Sequence, residues 1–207
     1  MLSNVVQAAG LVEGAPVLWY ANRGSGFVLL GLLTITTVAG VLAGAVPGSR
    51  EWPRAATQAM HRNVGLLSAT FLALHVVTTV VDEFVDVRWW QAIVPFTSGY
   101  ERIWLGLGVV GLDLILAVII TSMLRHRLGH RLWRGIHVLS YLAWALGTVH
   151  GLAMGTDAGT RWGVAFAAVC TMAVAVAVGA RLVSLRSAPP SAGAPRANPV
   201  TTHRGMP

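Results

Sequence analysis

Residues 59–81 read AMHRNVGLLSATFLALHVVTTVV, and residues 135–155 read GIHVLSYLAWALGTVHGLAMG. Each is a long apolar run carrying two histidines, His61 and His75 in the first and His137 and His150 in the second, at strides of 14 and 13 residues. At about 1.5 Å of rise per helical residue, either stride sets two imidazoles roughly 20 Å apart along a helix axis. Two such helices side by side would present an upper and a lower layer of facing histidines. An imidazole in hydrocarbon is unfavourable without a partner, and intramembrane ionisable residues face a bundle interior or a cofactor. Imidazole is a strong axial ligand for haem iron, so the pattern suggests two stacked haems linking one membrane face to the other. The phase is uneven between the helices. A stride of 14 returns to within roughly 40° of its starting direction, whereas a stride of 13 misses by roughly 140°. The second pair therefore requires a tilted group, overwinding or a kink near Gly147.

Composition supports the membrane setting. Hydrophobic residues make up 55 % of the 207-residue chain and charged residues 11 %, and the mean hydropathy is +0.64. These values lie outside the usual range of soluble domains. Five stretches can cross about 30 Å of hydrocarbon: residues 26–46, 64–81 (with a first turn from 59–63), 103–124, 135–155 and 162–180. Glu13, Gly14 and Pro16 interrupt residues 4–20, so the segment 1–22 is expected to lie at the external interface, without the features of a removable leader. The fold class expected is an all-α integral membrane bundle of about five helices over residues 23–186. The Pro-, Ala-, Ser- and Gly-rich residues 187–207 are expected to form a disordered cytoplasmic tail.

All fifteen cationic side chains are arginine, a usage that hints at a GC-rich bacterial genome. Arg50, Arg54, Arg62, Arg125, Arg127, Arg131, Arg134, Arg181, Arg186, Arg196 and Arg204 fall on one side of the five spans, and Arg23, Arg88, Arg102 and Arg161 on the other. The positive-inside rule makes the first group cytoplasmic, with the N-terminus outside and the C-terminus inside the cytoplasmic (inner) membrane. A pI near 11.2 then reflects topology and attraction for anionic lipid, with no nucleic-acid partner expected. Cys170 stands alone, which excludes a disulfide or a cysteine metal pair. Trp89, Trp90, Pro95, Phe96 and Tyr100 crowd the external loop of residues 82–102, either as headgroup-level aromatics or as cover for an outer cofactor. His126 and His130 in an arginine-rich loop, and His203 in the tail, read as solvated.

The segment Leu128-Gly129, Trp133-Arg134-Gly135-Ile136-His137, Tyr141 and His150 resembles the signature of the ferric reductase-like transmembrane domain. Arg23-Gly24-Ser25-Gly26 leading into residues 29–39 is similar to that family's first core helix. Pro95-Phe96-Thr97-Ser98-Gly99-Tyr100 with Trp104-Leu105-Gly106-Leu107-Gly108 is similar to its loop and third helix. The superfamily includes eukaryotic ferric reductases, NADPH oxidases and the bacterial haem subunit of periplasmic methionine sulfoxide reductase. The resemblance implies two b-type haems, His61 and His137 ligating the cytoplasmic-side haem and His75 and His150 the external one. It further implies that each ring donates its second nitrogen to a carbonyl or hydroxyl. Arg54, Arg62 and Arg134 are candidates for the propionates of the inner haem, since guanidinium matches carboxylate bidentately; the alternative is that they only set orientation.

Only a short tail follows the bundle here, where the larger relatives carry a flavin and nicotinamide module. Electrons would then come from a separate reductase, a flavoprotein or membrane quinol, and pass to an external redox partner. A family variant replaces one haem by a flavin such as FMN, but all four ligand positions are filled in this sequence. Asp113, the one mid-span carboxyl, is either a proton- or quinone-handling group or a neutral acid capped by a neighbouring helix. The function expected is transmembrane electron transfer, with no catalytic residue in the chain. It would act as a ferric reductase-like component or as the haem subunit of a periplasmic methionine sulfoxide reductase or flavoprotein system. A haem-free transporter or scaffold, with the histidines as a polar relay, is the reading of another class.

Overall fold

A computed structural model describes residues 2–45, 53–82 and 85–187, with side chains for all of these except residues 2–16, 44, 45, 54 and 187. The described residues form five helices, α1 (Leu2–Ala45), α2 (Arg54–Val81), α3 (Arg102–Met123), α4 (His130–Met154) and α5 (Arg161–Ser187). No strand occurs among the described residues. Every helix contains a segment long and apolar enough to cross a membrane. The fold is thus an all-helical, multi-pass bundle, as the hydropathy pattern requires.

The most deeply buried apolar residues are small, and many large apolar ones face outward. Ala39 and Ala143 are each 1 % exposed, whereas Leu66 and Val169 on the outside are 64 % and 67 % exposed. This distribution suits a bundle solvated by lipid, where small side chains let backbones approach closely and large apolar ones face the hydrocarbon. Helix α1 is the hub, packing on α2, α5 and α4, while α3 packs on α4. Gly111 brings α3 within 3.5 Å, measured from an added β-carbon, of the Ala143 carbonyl oxygen on α4. Phe27 of α1 meets Trp162 and Phe166 of α5 at ring-centroid separations of 4.7 and 5.6 Å.

The first span runs Val17–Ala43, starting ahead of the expected residue 26. Polar side chains between them are satisfied laterally, so the helix continues through a stretch that reads as a boundary. Asn22 donates its carboxamide to the Thr79 hydroxyl on α2 at 2.8 Å, and Ser25 returns its hydroxyl to the Asn22 carbonyl at 2.8 Å. Arg23 forms a bidentate ion pair with Asp157 in the α4–α5 connection. The backbone of the segment 1–22 is helical from Leu2. Of the tail at 187–207, only the backbone of Ser187 lies within the described residues.

The α2–α3 connection folds back on the start of α3. Phe96 adopts a left-handed backbone with φ of 62° and Glu101 one with φ of 38°. The Phe96 ring lies on the backbone at Gly106, leaving no room for a side chain there, and Arg102 holds the Phe96 carbonyl at 2.6 Å. Trp89 and Trp90 are more than half-exposed, or half-exposed, on the outside of this loop.

Candidate functional site

The four intramembrane histidines meet as two pairs. His61 on α2 and His137 on α4 have ring centroids 5.9 Å apart with planes at 65°. His75 and His150 are 6.4 Å apart with planes at 82°. The structure thus brings His61 together with His137 and His75 together with His150.

Three of the rings are fixed by the same device. His61 Nδ1 lies 2.9 Å from the Thr36 carbonyl, His75 Nδ1 3.2 Å from the Asn22 carbonyl, and His150 Nδ1 2.9 Å from the Trp104 carbonyl. A carbonyl oxygen only accepts, so each Nδ1 must carry the proton and donate it. In the neutral ring that leaves Nε2 with a free lone pair. Each acceptor lies four residues before a glycine: Thr36 before Gly40, Asn22 before Gly26, Trp104 before Gly108. A β-carbon at those glycines would stand 3.2 Å from His61, 3.3 Å from His75 and 2.7 Å from His150. The missing side chain is what lets the imidazole reach the backbone of the next helix. Gly26 and Gly108 fall within stretches similar to the family, but none of the three glycines is set against a histidine in the sequence reading. The recurrence of Gly26 and Gly40 at the same 14-residue interval as His61 and His75 is the signal that would have revealed them.

His137 differs. Its Nδ1 is buried without a hydrogen-bond partner, and its ring instead stacks on Trp133 at 5.1 Å with an interplanar angle of 29°. The 13-residue stride accounts for this. With His150 seated on the α3 cradle, a residue 13 positions earlier is turned by roughly 140° and misses the equivalent carbonyl.

His75 and His150 both give Nδ1–H to a carbonyl, which leaves each Nε2 as an acceptor; two neutral acceptors cannot hydrogen-bond to each other, and a metal ion held between such rings would satisfy both. Imidazole nitrogen binds first-row metals at about 2.0–2.1 Å. Two rings that shared one metal ion would have centroids up to about 6.3 Å apart, counting about 1.1 Å from centroid to nitrogen on each side. The observed 5.9 and 6.4 Å fit that arrangement. No group of three or more His, Cys, Asp or Glu side chains that could hold a metal ion occurs among the described residues; each layer brings two imidazoles together.

The remaining candidates are spread around this core. Arg62 adjoins His61 and Arg134 precedes His137 by three residues; both are exposed at the same end of the bundle. The side chain of Arg54 lies outside the described residues. Asp113 is half-buried on α3, and no donor to its carboxyl is found among the described residues. Near the other layer, the Arg23–Asp157 pair is flanked by Trp19 and Trp162, whose rings lie 4.9 and 5.9 Å from the guanidinium carbon. Its members are 134 residues apart, so the pairing is invisible to local sequence reading.

Fold and site together define a multi-pass helical membrane protein with two layers of paired imidazoles in its interior. The sequence pattern of the ferric reductase like transmembrane component matches residues 25–148, and the chain belongs to that family. The match contains His61, His75 and His137 and stops just before His150. Neither a curated protein nor a solved structure matches the chain.

Proposed function

We propose that the chain moves electrons across the membrane through two b-type haems, one held by His61 and His137 and the other by His75 and His150. The observation that carries this reading is the facing of two imidazole pairs at 5.9 and 6.4 Å, three of the four rings locked by a backbone carbonyl in the tautomer that exposes Nε2. When bound, haem supplies one-electron chemistry that no side chain in this bundle has. The carbonyl bonds orient the rings and raise their basicity as ligands. Gly26, Gly40 and Gly108 give the rings room against α1 and α3. The apolar helices exclude water and keep the path at low dielectric.

Arg54, Arg62 and Arg134 are the candidates to neutralise haem propionates at the His61–His137 end, which the arginine distribution makes cytoplasmic in the inner membrane. The donor on that side is a separate reductase, a flavoprotein or membrane quinol, and the acceptor is an external redox partner. Asp113 is proposed to handle a proton or quinone. FMN in place of one haem is the variant to be distinguished.

Haem per chain, measured by pyridine haemochrome on detergent-purified protein, tests the reading. About two b haems are expected, falling to about one in His75→Ala. A single haem accompanied by flavin would favour the FMN variant. Protein from haem-replete cells with no Soret band would sink the proposal.

A further inference from the structure

The two histidine layers are built differently, and the difference centres on Trp133. Both histidines of the His75–His150 layer donate Nδ1–H to carbonyls of α1 and α3. In the other layer only His61 does so. His137 Nδ1 is buried and unpaired, and the ring is steadied by the Trp133 indole stacked on it at 5.1 Å. Trp133 sits one helical turn before His137, so the two side chains share a face of α4. The indole is itself tied to α3, with Nε1 donating to the Ser122 hydroxyl at 3.4 Å. A contact that spans α3 and α4 thus stands where a carbonyl acceptor stands for the other three rings.

We infer that Trp133, anchored by Ser122, is the positioning residue for His137 and that the two haem sites are consequently inequivalent, an inference that rests on the haem reading above. A stack restrains the tilt of the ring but withdraws no proton density from Nδ1–H, so His137 is the least basic of the four ligands. The weaker axial donor stabilises ferric iron less. It lets go of the group more easily and raises the midpoint of the His61–His137 site relative to a fully hydrogen-bonded one.

The experiment uses the full-length protein in detergent, reading haem per chain, release to apomyoglobin, a potentiometric titration and the low-spin EPR signals. His61→Ala and His75→Ala assign the signals to the two sites. In the wild type, the His61–His137 haem should be released first. Trp133→Leu should lose that haem while the other keeps its midpoint and EPR signal. Trp133→Phe keeps a ring to stack but not the anchor, and Ser122→Ala removes the anchor alone. Both should retain two haems, with only the His61–His137 midpoint and EPR signal displaced. Trp144→Phe, which removes the indole hydrogen bond from α4 to the Thr34 hydroxyl at 3.0 Å, should displace neither. Unchanged midpoints and haem content in Trp133→Leu, or equal loss of both haems, would overturn the inference. If Trp133→Leu does not fold, Trp133→Phe and Ser122→Ala decide: displacement of neither signal or of both overturns it. Wild-type protein without haem defeats the functional reading itself, whereas two haems indifferent to Trp133 and Ser122 defeat only the inference.

Discussion

Gly40 lies against His61, with room for the imidazole but not for a side chain between them: an added β-carbon would stand 3.2 Å from the ring Cε1. Gly26 stands in the same relation to His75 at 3.3 Å, and the two glycines are separated by the 14 residues that separate the two histidines. Helices α1 and α2 run antiparallel, so equal intervals on both repeat one contact at two depths. One piece of backbone geometry is thereby used twice.

On the proposed two-haem reading, Gly40→Leu should displace His61 and cost the haem of that layer while the His75–His150 haem stays. Gly40→Ala, whose β-carbon needs the ring to give by only a few tenths of an ångström, should retain both. Haem per chain and the number of midpoints in a redox titration distinguish the outcomes.

Gly108→Ala should be more severe than Gly40→Ala, because the new β-carbon would lie 2.7 Å from His150. Overpacking of this kind costs about 1–3 kcal/mol, offset by about 1 kcal/mol from better helix propensity. Gly147→Ala is the matched control, with nothing within 4 Å of its added carbon, and should be neutral or slightly stabilising. Thermal scans of the detergent-solubilised variants, read by size-exclusion fluorescence, give the comparison.

Asp157→Asn removes the carboxylate from a pair in which the aspartate is 4 % and the arginine 31 % exposed. Breaking a fully buried pair costs about 3–5 kcal/mol. Partial exposure of Arg23 reduces this to about 1–3 kcal/mol. The loss should appear as a lower melting temperature, and Arg23→Gln combined with Asp157→Asn should recover part of it. A double-mutant cycle showing no coupling between the two would mean that the pair is incidental to the joining of α1 to the α4–α5 connection.

Asp113→Asn separates the two readings of that carboxyl. A role in proton or quinone handling predicts slower haem reduction by a quinol analogue, with dithionite reduction and haem content unchanged. Equal quinol-driven rates would remove Asp113 from the mechanism.

Much of the architecture is legible locally because lipid imposes local rules. A chain that must satisfy its backbone inside each span declares its helices through length and hydropathy alone. Asn22, Arg23 and Ser25 show where such rules fail, since they read as the edge of a span and lie within a continuous helix. Their partners are Thr79 and Asp157 on other elements, and Ser25 bonds back to Asn22. The orientation of the histidines has the same character. The 14-residue stride of α2 announces that both rings share a face, but the carbonyls receiving their protons belong to α1, far away in sequence.

By itself, then, the sequence determined five apolar spans and the four histidines at two matched depths, because hydropathy and helical rise act along a single segment. Only the tertiary structure decided that glycines on α1 and α3 open the backbone to His61, His75 and His150, and that His137, alone of the four, rests on an indole. Those outcomes depend on the lateral register of helices, a quantity set by packing between segments and written in no one of them.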